Sequence, residues 1–283
     1  MTPVVAVIAP GAMGAAVGKR LTDHGVKVLT SLEGRSEATK ARAKAAGMAA
    51  ASDEEIAATD FILSILPPGD ALSFAQRFVP ALTASNAKPV FVECNAINPV
   101  TVDQVAKVIA PTGCPFVDAG IIGQPPKPGD AGPRFYASGA AATRFATLRD
   151  YGVDVRVLNG AMSAASALKM SYAGITKGTQ AVGAAMMLAA TRAGSADALF
   201  SELQSSQKEL FPWLKRQLSM MPPKAYRWVA EMHEIAGFVG EGSAAHELYK
   251  AAAHFYARMA EDFAADKEDA AALEAFLKNA PAE

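Results

Sequence analysis

Two groups of residues in this chain have the types and spacing to do chemistry. The first is Ala9-Pro10-Gly11-Ala12-Met13-Gly14, set between a β-branched run, Val4–Ile8, and a helix-patterned segment that ends at Gly25. Glycines in such a turn let the backbone approach an anion, and the following helix offers it N–H groups. Strand, glycine turn and helix together grip the pyrophosphate of a dinucleotide. Ala9 replaces the first glycine of G-x-G-x-x-G, so the signal rests on the turn's place between strand and helix. The second is Lys169, flanked by Leu168 and Met170 in a helical stretch over residues 159–193 that is dense in Ala, Gly and Ser. A lysine held partly out of water can pass protons near neutral pH. Lys177, two turns on and on the same face, is expected to be exposed or to snorkel, and its loss to matter little.

The choice of dinucleotide is made at the tip of the second strand, where Ser31-Leu32-Glu33-Gly34-Arg35-Ser36 follows Lys27–Thr30. An acid there binds the ribose hydroxyls of NAD; a basic residue accepts the 2′-phosphate of NADP. Arg35 is forked and permanently charged, which suits a phosphate monoester. NADP is therefore expected, and the alternative is NAD with Glu33 on the ribose.

These residues need a framework, and the chain supplies one in two halves. The expected strands are Val4–Ile8, Lys27–Thr30, 61–66, Val90–Glu93, 116–118, 134–137 and 153–158, alternating with helical patterns. Such alternation predicts a parallel sheet wrapped by helices. Pro67-Pro68-Gly69-Asp70 ends one strand and is placed to cap the next helix. Beyond Gly160 strand signals stop, and helices follow with interruptions at Pro212, at Met221-Pro222-Pro223-Lys224 and at 237–242. The fold class is α/β: a Rossmann dinucleotide-binding domain over 1–160, joined by a long interdomain helix to an all-α domain over 161–283. That helix is expected to be buried on most sides, and the tail from Asp266 to fray.

With 283 residues the chain has room for two domains and a sizeable core. Its 27 basic and 28 acidic residues give a net charge of −1, so no basic footprint suggests nucleic acid. The apolar stretch 178–190, between Lys177 and Arg192, is too short to span a bilayer. No charged region precedes an apolar run at the N-terminus, so a secretory signal is not expected. Cys94 and Cys114 lie far apart, and four scattered histidines form no metal-binding spacing. A reducing, cytoplasmic setting, with no metal and no membrane partner, is the expectation.

At this point the chain resembles the β-hydroxyacid dehydrogenases related to 6-phosphogluconate and 3-hydroxyisobutyrate dehydrogenases, over nearly its whole length. The family's G-x-G-x-M-G turn is similar to Ala9–Gly14, numbered 9–14, and its Asn-Arg-Ser/Thr of NADP-preferring members to Gly34-Arg35-Ser36. Its proline loop over the cofactor resembles Leu63-Ser64-Ile65-Leu66-Pro67-Pro68. Its strand end near the nicotinamide resembles Glu93-Cys94-Asn95-Ala96-Ile97-Asn98-Pro99. The substrate motif D-A-P-V-S-G-G is matched in part by Asp118-Ala119-Gly120-Ile121-Ile122-Gly123-Gln124, with Ile122 where the family has a carboxylate-holding Ser. The catalytic motif G-x-x-G-x-G-x-x-x-K-x-x-x-N keeps Lys169 but has Ala173 for its Asn. These departures replace polar groups by apolar ones and, with residues 227–236, look like a branch with a variant C-terminal domain.

The resemblance implies hydride transfer between NADP(H) and a hydroxy acid or alcohol, or its carbonyl counterpart, with Lys169 as general acid/base. Asn95 is expected to donate to the reacting oxygen or to orient the nicotinamide amide. Gly120, Ile121, Ile122 and Gly123 are expected at the substrate. Ser171 lies off the lysine's face, and Tyr172 is expected in the core. In the second domain Arg227 and Glu231 are spaced as an exposed i, i+4 pair. The functional alternative places Glu231 or His233 at the substrate. His246 is expected at the surface or an interface, and Trp213, Tyr226 and Trp228 as core or interface anchors. An intertwined homodimer is expected, its cleft formed by one cofactor domain and helices of both chains. Two alternatives stand beside the dehydrogenase: an imine reductase, whose relatives generally lack the lysine, and a non-catalytic NADP-binding redox sensor.

Overall fold

Short β-branched runs bounded by glycine, proline and small polar residues form strands here because their side chains are buried on both faces of a sheet. The computed structural model of the chain describes residues 2–279. β1 (Val4–Ile8), β2 (Lys27–Thr30), β3 (Ala49–Ala50), β4 (Phe61–Ser64), β5 (Val90–Glu93), β6 (Phe116–Ile122), β7 (Arg134–Ser138) and β8 (Asp154–Val157) make one sheet. Its order is β3-β2-β1-β4-β5-β6-β7-β8. The order reverses between β1 and β4, which is where open α/β sheets bind ligands at their carboxyl ends. The sheet is not wholly parallel as expected: β7 runs antiparallel to β6. Residues 123–133, rich in Pro and Gly, return the chain directly, with no crossover helix to bring it round.

Helices cover both faces. α1 (Ala12–Asp23), α2 (Glu37–Ala45) and α6 (Ala142–Phe145) pack Val17, Leu21, Ala43 and Phe145 against Val5, Val7 and Val28. α3 (Asp53–Ala57), α4 (Ala71–Ala84) and α5 (Pro99–Ile109) pack Ile56, Phe74, Phe78 and Val102 against Ala6, Ile8 and Leu29 on the other face. Alternate strand residues thus serve opposite cores. Asp70 makes no side-chain cap on α4, contrary to expectation; a 3₁₀ turn over Pro68–Asp70 leads into that helix instead.

The chain divides into two compact units between Met170 and Ser171. The division lies inside α7 (Ala164–Arg192), ten residues beyond the boundary expected at 160, because the start of α7 packs on the sheet. The second unit holds the rest of α7 with α8 (Ala196–Ser206), α9 (Leu210–Leu218), α10 (Ala225–Phe238), α11 (Ala244–Ala264) and α12 (Glu268–Lys278). Phe200 meets Phe211 and Phe276 edge-on at 5.1 and 6.0 Å between ring centroids. α9 runs straight through Pro212, which sits in its first turn where a missing N–H does no harm. From Asp266 to 279 the chain does not fray: Asp262 accepts from the N–H groups of Asp269 and Ala270, and Leu273, Phe276 and Leu277 are buried; the rest of the tail lies outside the described residues.

Two expectations for α7 fail. Its small residues do admit close neighbours, Gly174 and Gly178 lying against the Tyr249 ring and Gly183 against Leu214. Tyr172, Ile175, Val182 and Met186 line one exposed stripe, so Tyr172 is not core. Lys177 is not exposed either. Its ammonium pairs with the Glu231 carboxylate, with 15% and 9% of the two side chains accessible. It also lies 5.2 Å from the centre of the Trp228 ring, and Tyr256 donates to the Lys177 carbonyl at 2.6 Å. Glu231 therefore pairs with Lys177 rather than forming the expected surface couple with Arg227, which is exposed against the Tyr226 ring.

This pair makes a prediction opposite to the one from sequence. Lys177→Met leaves a buried carboxylate without its cation, and the unfolding free energy should fall by about 2–4 kcal/mol. Lys177→Met with Glu231→Leu should recover most of it. Urea unfolding of the full chain measures both, and a single-variant loss under about 0.5 kcal/mol would mean the pair behaves as a solvated one.

Candidate functional site

The turn after β1 is shaped by two glycines with different jobs. A Cβ at Gly14 would overlap the carbonyl oxygen of Ala9, so only glycine lets α1 begin against the strand's end. A Cβ at Gly11 would meet nothing within 4 Å. The space there is kept clear at the mouth of the helix, although packing in the protein does not require it. The first bond closing α1 runs from Ala15 N–H to the Gly11 carbonyl at 2.9 Å. The N–H groups of Ala12, Met13 and Gly14 precede it and form the end that attracts an anion. A dinucleotide pyrophosphate fits this cradle.

At the tip of β2, Arg35 is partly buried and Glu33 is exposed. Ser36 caps α2, its hydroxyl accepting from Thr39 N–H at 3.4 Å. Gly34 has φ +67, which turns the chain between them.

The ends of β4 and β5 lie level, with Ser64 beside Glu93; Glu93 lies beside Asp118, and β6 runs on to Ile122. Asn95 just beyond β5 is buried: its Nδ2 donates to Ser64 Oγ at 2.9 Å and its Oδ1 accepts from Leu66 N–H, so it holds the Leu66-Pro67 loop. Glu93 is buried between two strands; its Oε1 accepts from Asn95 N–H at 2.8 Å, and its Oε2 has no hydrogen-bond partner among the described residues. Burial pushes its carboxyl up to about 8, and the neighbouring Asp118 adds to the rise. Cys94, buried beside these acids, is a thiol whose ionisation burial opposes.

Asp118 ties the sheet to α7. Its Oδ2 accepts from Ser166 N–H at 2.8 Å and its Oδ1 from the Ser166 hydroxyl at 2.5 Å. Ser138 Oγ donates to the Met162 carbonyl at 2.7 Å, lies 3.3 Å from Asp118, and accepts from Ala165 N–H at 3.0 Å. The carboxylate thus stands where a helix cap would, satisfying N–H groups at the start of α7. Burial raises Asp118 to about 6 against these bonds. Two residues along β6, a Cβ on Gly120 would come within 2.7 Å of the Ala165 carbonyl and 3.0 Å of Lys169 Cβ. The missing side chain is what lets α7 lie on the strand, and it seats partly buried Lys169 against Gly120.

The structure therefore brings Lys169, Gly120, Ile121 and Ile122 together at the end of β6, with Gly123 exposed just after it. Ile121 and Ile122 are each buried, at 8% accessible, and Ile121 packs in the core on one face of the sheet. Glu231 lies in the second unit, paired with Lys177; His233 is exposed, and His246 is partly buried with Nδ1 at 2.8 Å from the Ala236 carbonyl. Trp228 packs edge-on to Tyr256, Trp213 is half-buried and Tyr226 is exposed. No group of three or more metal-ligating side chains occurs among the described residues. No helix among them is long and apolar enough to cross a membrane. Missed by sequence reasoning are Asp118, Ser138 and Ser166 as a clasp, and Arg42 and Arg77, discussed below. An acid ending one strand and a serine opening a helix 48 residues later have no local pattern that links them.

The glycine turn at the end of β1 and the switch in strand order beside it define a nicotinamide-dinucleotide-binding protein of the β-hydroxyacid dehydrogenase type. Residues 4–151 match the NAD binding domain of 6-phosphogluconate dehydrogenase, and the chain belongs to that family. Residues 190–259 match a domain of unknown function, DUF1932. An uncharacterized 28.5 kDa protein in the 7S RNA 5′ region of Methanothermus fervidus is 28% identical over 188 residues, 66% of this chain and 70% of that one. A solved conserved protein of unknown function, with structural similarity to 3-hydroxyacid dehydrogenases, matches at TM-score 0.71 and 28% identity, over 95% of this chain and 98% of its own. A 3-hydroxyisobutyrate dehydrogenase from Mycobacterium tuberculosis, solved with L-serine, matches at TM-score 0.69 and 21% identity, over 97% and 99%.

The two glycines of the turn separate packing from binding. Gly14→Ala should destabilise the fold by about 1–3 kcal/mol. Gly11→Ala should leave unfolding unchanged within about 0.5 kcal/mol yet weaken dinucleotide binding roughly tenfold or more, since its methyl enters the cleared space. Equal binding by wild type and Gly11→Ala, in calorimetric titration, would remove the cradle.

The buried acids set a pH window. Glu93 has its ordinary value of 4.5 when unfolded and about 8 when folded. The folded state holds the proton more tightly, so stability is full below pH 4.5 and falls as pH rises toward 8. Asp118 contributes over the lower part, from 3.8 to about 6. Glu93→Gln keeps the acceptor for Asn95 N–H and removes the ionisation. Its melting temperature should decline less than that of wild type between pH 6 and 8; parallel declines would place that titration elsewhere.

Proposed function

We propose that the protein is an NADP-dependent dehydrogenase or reductase acting between a CH–OH carbon and its carbonyl form, with Lys169 as the general acid/base. The observation that carries this reading is the close approach at Gly120, which seats Lys169 on β6 toward the carboxyl ends of the same sheet whose β1 leads into the cofactor turn. The bound nicotinamide accepts or supplies the hydride. The N–H groups of Ala12, Met13 and Gly14 would hold the pyrophosphate, Ala9 and Pro10 would shape its approach, and the Leu66-Pro67 loop, held by Asn95, would help bind the cofactor. Arg35 and Ser36 take the 2′-phosphate, with Glu33 at the ribose.

Lys169 takes the hydroxyl proton at Nζ in oxidation and returns it to the carbonyl oxygen in reduction. Asp118 and Ser166 fix the helix that carries it, so the ammonium need not be reoriented at each turnover. Ile122 stands in the expected substrate segment in place of a carboxylate-holding serine, which favours a substrate whose recognised part is apolar over one held by its carboxylate. The exposed stripe Tyr172, Ile175, Val182 and Met186 repeats at alternating long and short helical intervals and suits a second copy of the chain, making a homodimer.

Lys169→Met keeps length and apolar contact but removes the proton carrier. Cofactor affinity should stay within a few-fold of wild type while turnover drops by roughly 10²–10⁴. The assay follows NADPH absorbance with keto acids, aldehydes, hydroxy acids and cyclic imines. Full turnover by Lys169→Met on the best substrate would discard the mechanism in favour of a lysine-independent reduction such as that of an imine. Cofactor binding with no turnover on any member of the panel would favour a redox sensor.

A further inference from the structure

Two arginines from opposite helix layers end at the rim of one strand pair. β1 and β2 run parallel with Ala6 beside Leu29, so Ser31 lies level with Ile8 and the cofactor turn begins just beyond. Arg42 comes from α2, on the face covered by α1. Its Nε donates to the Pro10 carbonyl at 3.3 Å and its Nη2 to the Thr39 hydroxyl at 2.8 Å. Arg77 comes from α4, on the other face. Its Nη2 donates to the Asp53 carboxylate at 2.8 Å and to the Ser31 hydroxyl at 3.4 Å. Its guanidinium lies 4.9 Å from the centre of the Phe78 ring.

Each guanidinium is thus held by one edge, and the Nη1 edge remains for an incoming acceptor. Arg35, in the loop that leaves β2, is the third. The rim's acids are partly matched already: Asp53 by Arg77 and Glu37 by Lys40 at 2.8 Å. Glu33, in the same loop as Arg35, is exposed. The adenosine ribose of a dinucleotide lies over this strand tip. A phosphate monoester there carries nearly two charges and three acceptor oxygens, enough to engage more than one planar fork. Ribose hydroxyls call for acceptors, and the rim is dominated by donors.

We propose that Arg42 and Arg77 act with Arg35 as a receptor for the 2′-phosphate of NADP(H), built from both faces of the sheet, and so determine cofactor choice. The inference rests on the NADP reading above. The probes are adenosine 2′,5′-bisphosphate and 5′-AMP, which differ by the one phosphate, titrated calorimetrically into the full chain. Arg42→Gln and Arg77→Gln should each weaken the bisphosphate about tenfold, as loss of a charge-assisted contact does, and leave 5′-AMP within twofold. Arg77→Lys keeps the charge and the packing on Phe78 but not the fork, and should lose part of the bisphosphate affinity. It also covers the case in which Arg77→Gln loosens the fold. Equal weakening of both probes, no weakening, or a loss at only one of the two arginines would overturn the inference while a wild-type preference for the bisphosphate upheld the NADP reading. A wild-type protein that binds the probes alike would overturn both.

Discussion

Everything at the ends of the central strands depends on the contact between α7 and β6. At Gly120 the helix lies on the strand so closely that a single methyl group would strike the Ala165 carbonyl. Asp118, two residues earlier on the same strand, accepts from Ser166 on the helix. One residue permits the approach by having no side chain; the other fixes the register by having a charged one. Between them they define the height and rotation at which Lys169 emerges. A side chain set this way has little freedom to lose when it engages a reacting atom, which is how positioning contributes to rate.

That contact is made among groups that water would otherwise solvate. Two carboxyl groups, Glu93 and Asp118, sit on adjacent strands and both are displaced upward by burial. Their neighbours are hydroxyls and backbone N–H groups rather than cations. The protein thus keeps the strand ends low in net charge through hydrogen bonding and through retention of a proton on Glu93 near neutrality. The contrast is with the β2 tip, where charge is concentrated on arginines.

Much of this was legible from the chain, and what was not has a physical reason. Local signals placed β1, the turn and α1 correctly, because hydrophobic runs and glycine positions act within a few residues. The 3.6-residue pattern likewise gave α7 nearly its true length. Lys177 was misread because its partner, Glu231, is 54 residues away and no local pattern couples them. The bonds that tie Asn95 to Ser64 at the end of β4 and to Leu66 just beyond it were likewise out of reach of local pattern. Arg42 and Arg77 stand in no local motif; only the sheet brings both to one rim. Side-chain chemistry was visible residue by residue, and the partnerships that redirect it were long-range.

The clasp on Asp118 has a consequence for how the chain is made. The first unit owns the opening of α7: without Ala165 and Ser166, the Asp118 carboxylate would face the interior of the sheet with its strongest donors gone. A chain emerging from the ribosome can pair β1 to β6 as soon as those strands are out, but it cannot close their carboxyl ends until about fifty more residues have followed. A fragment that stops at 160, where the strand signals end, would therefore leave the nucleotide-binding unit open at the very edge on which its ligand rests, whereas one that runs to Met170 carries its own closure.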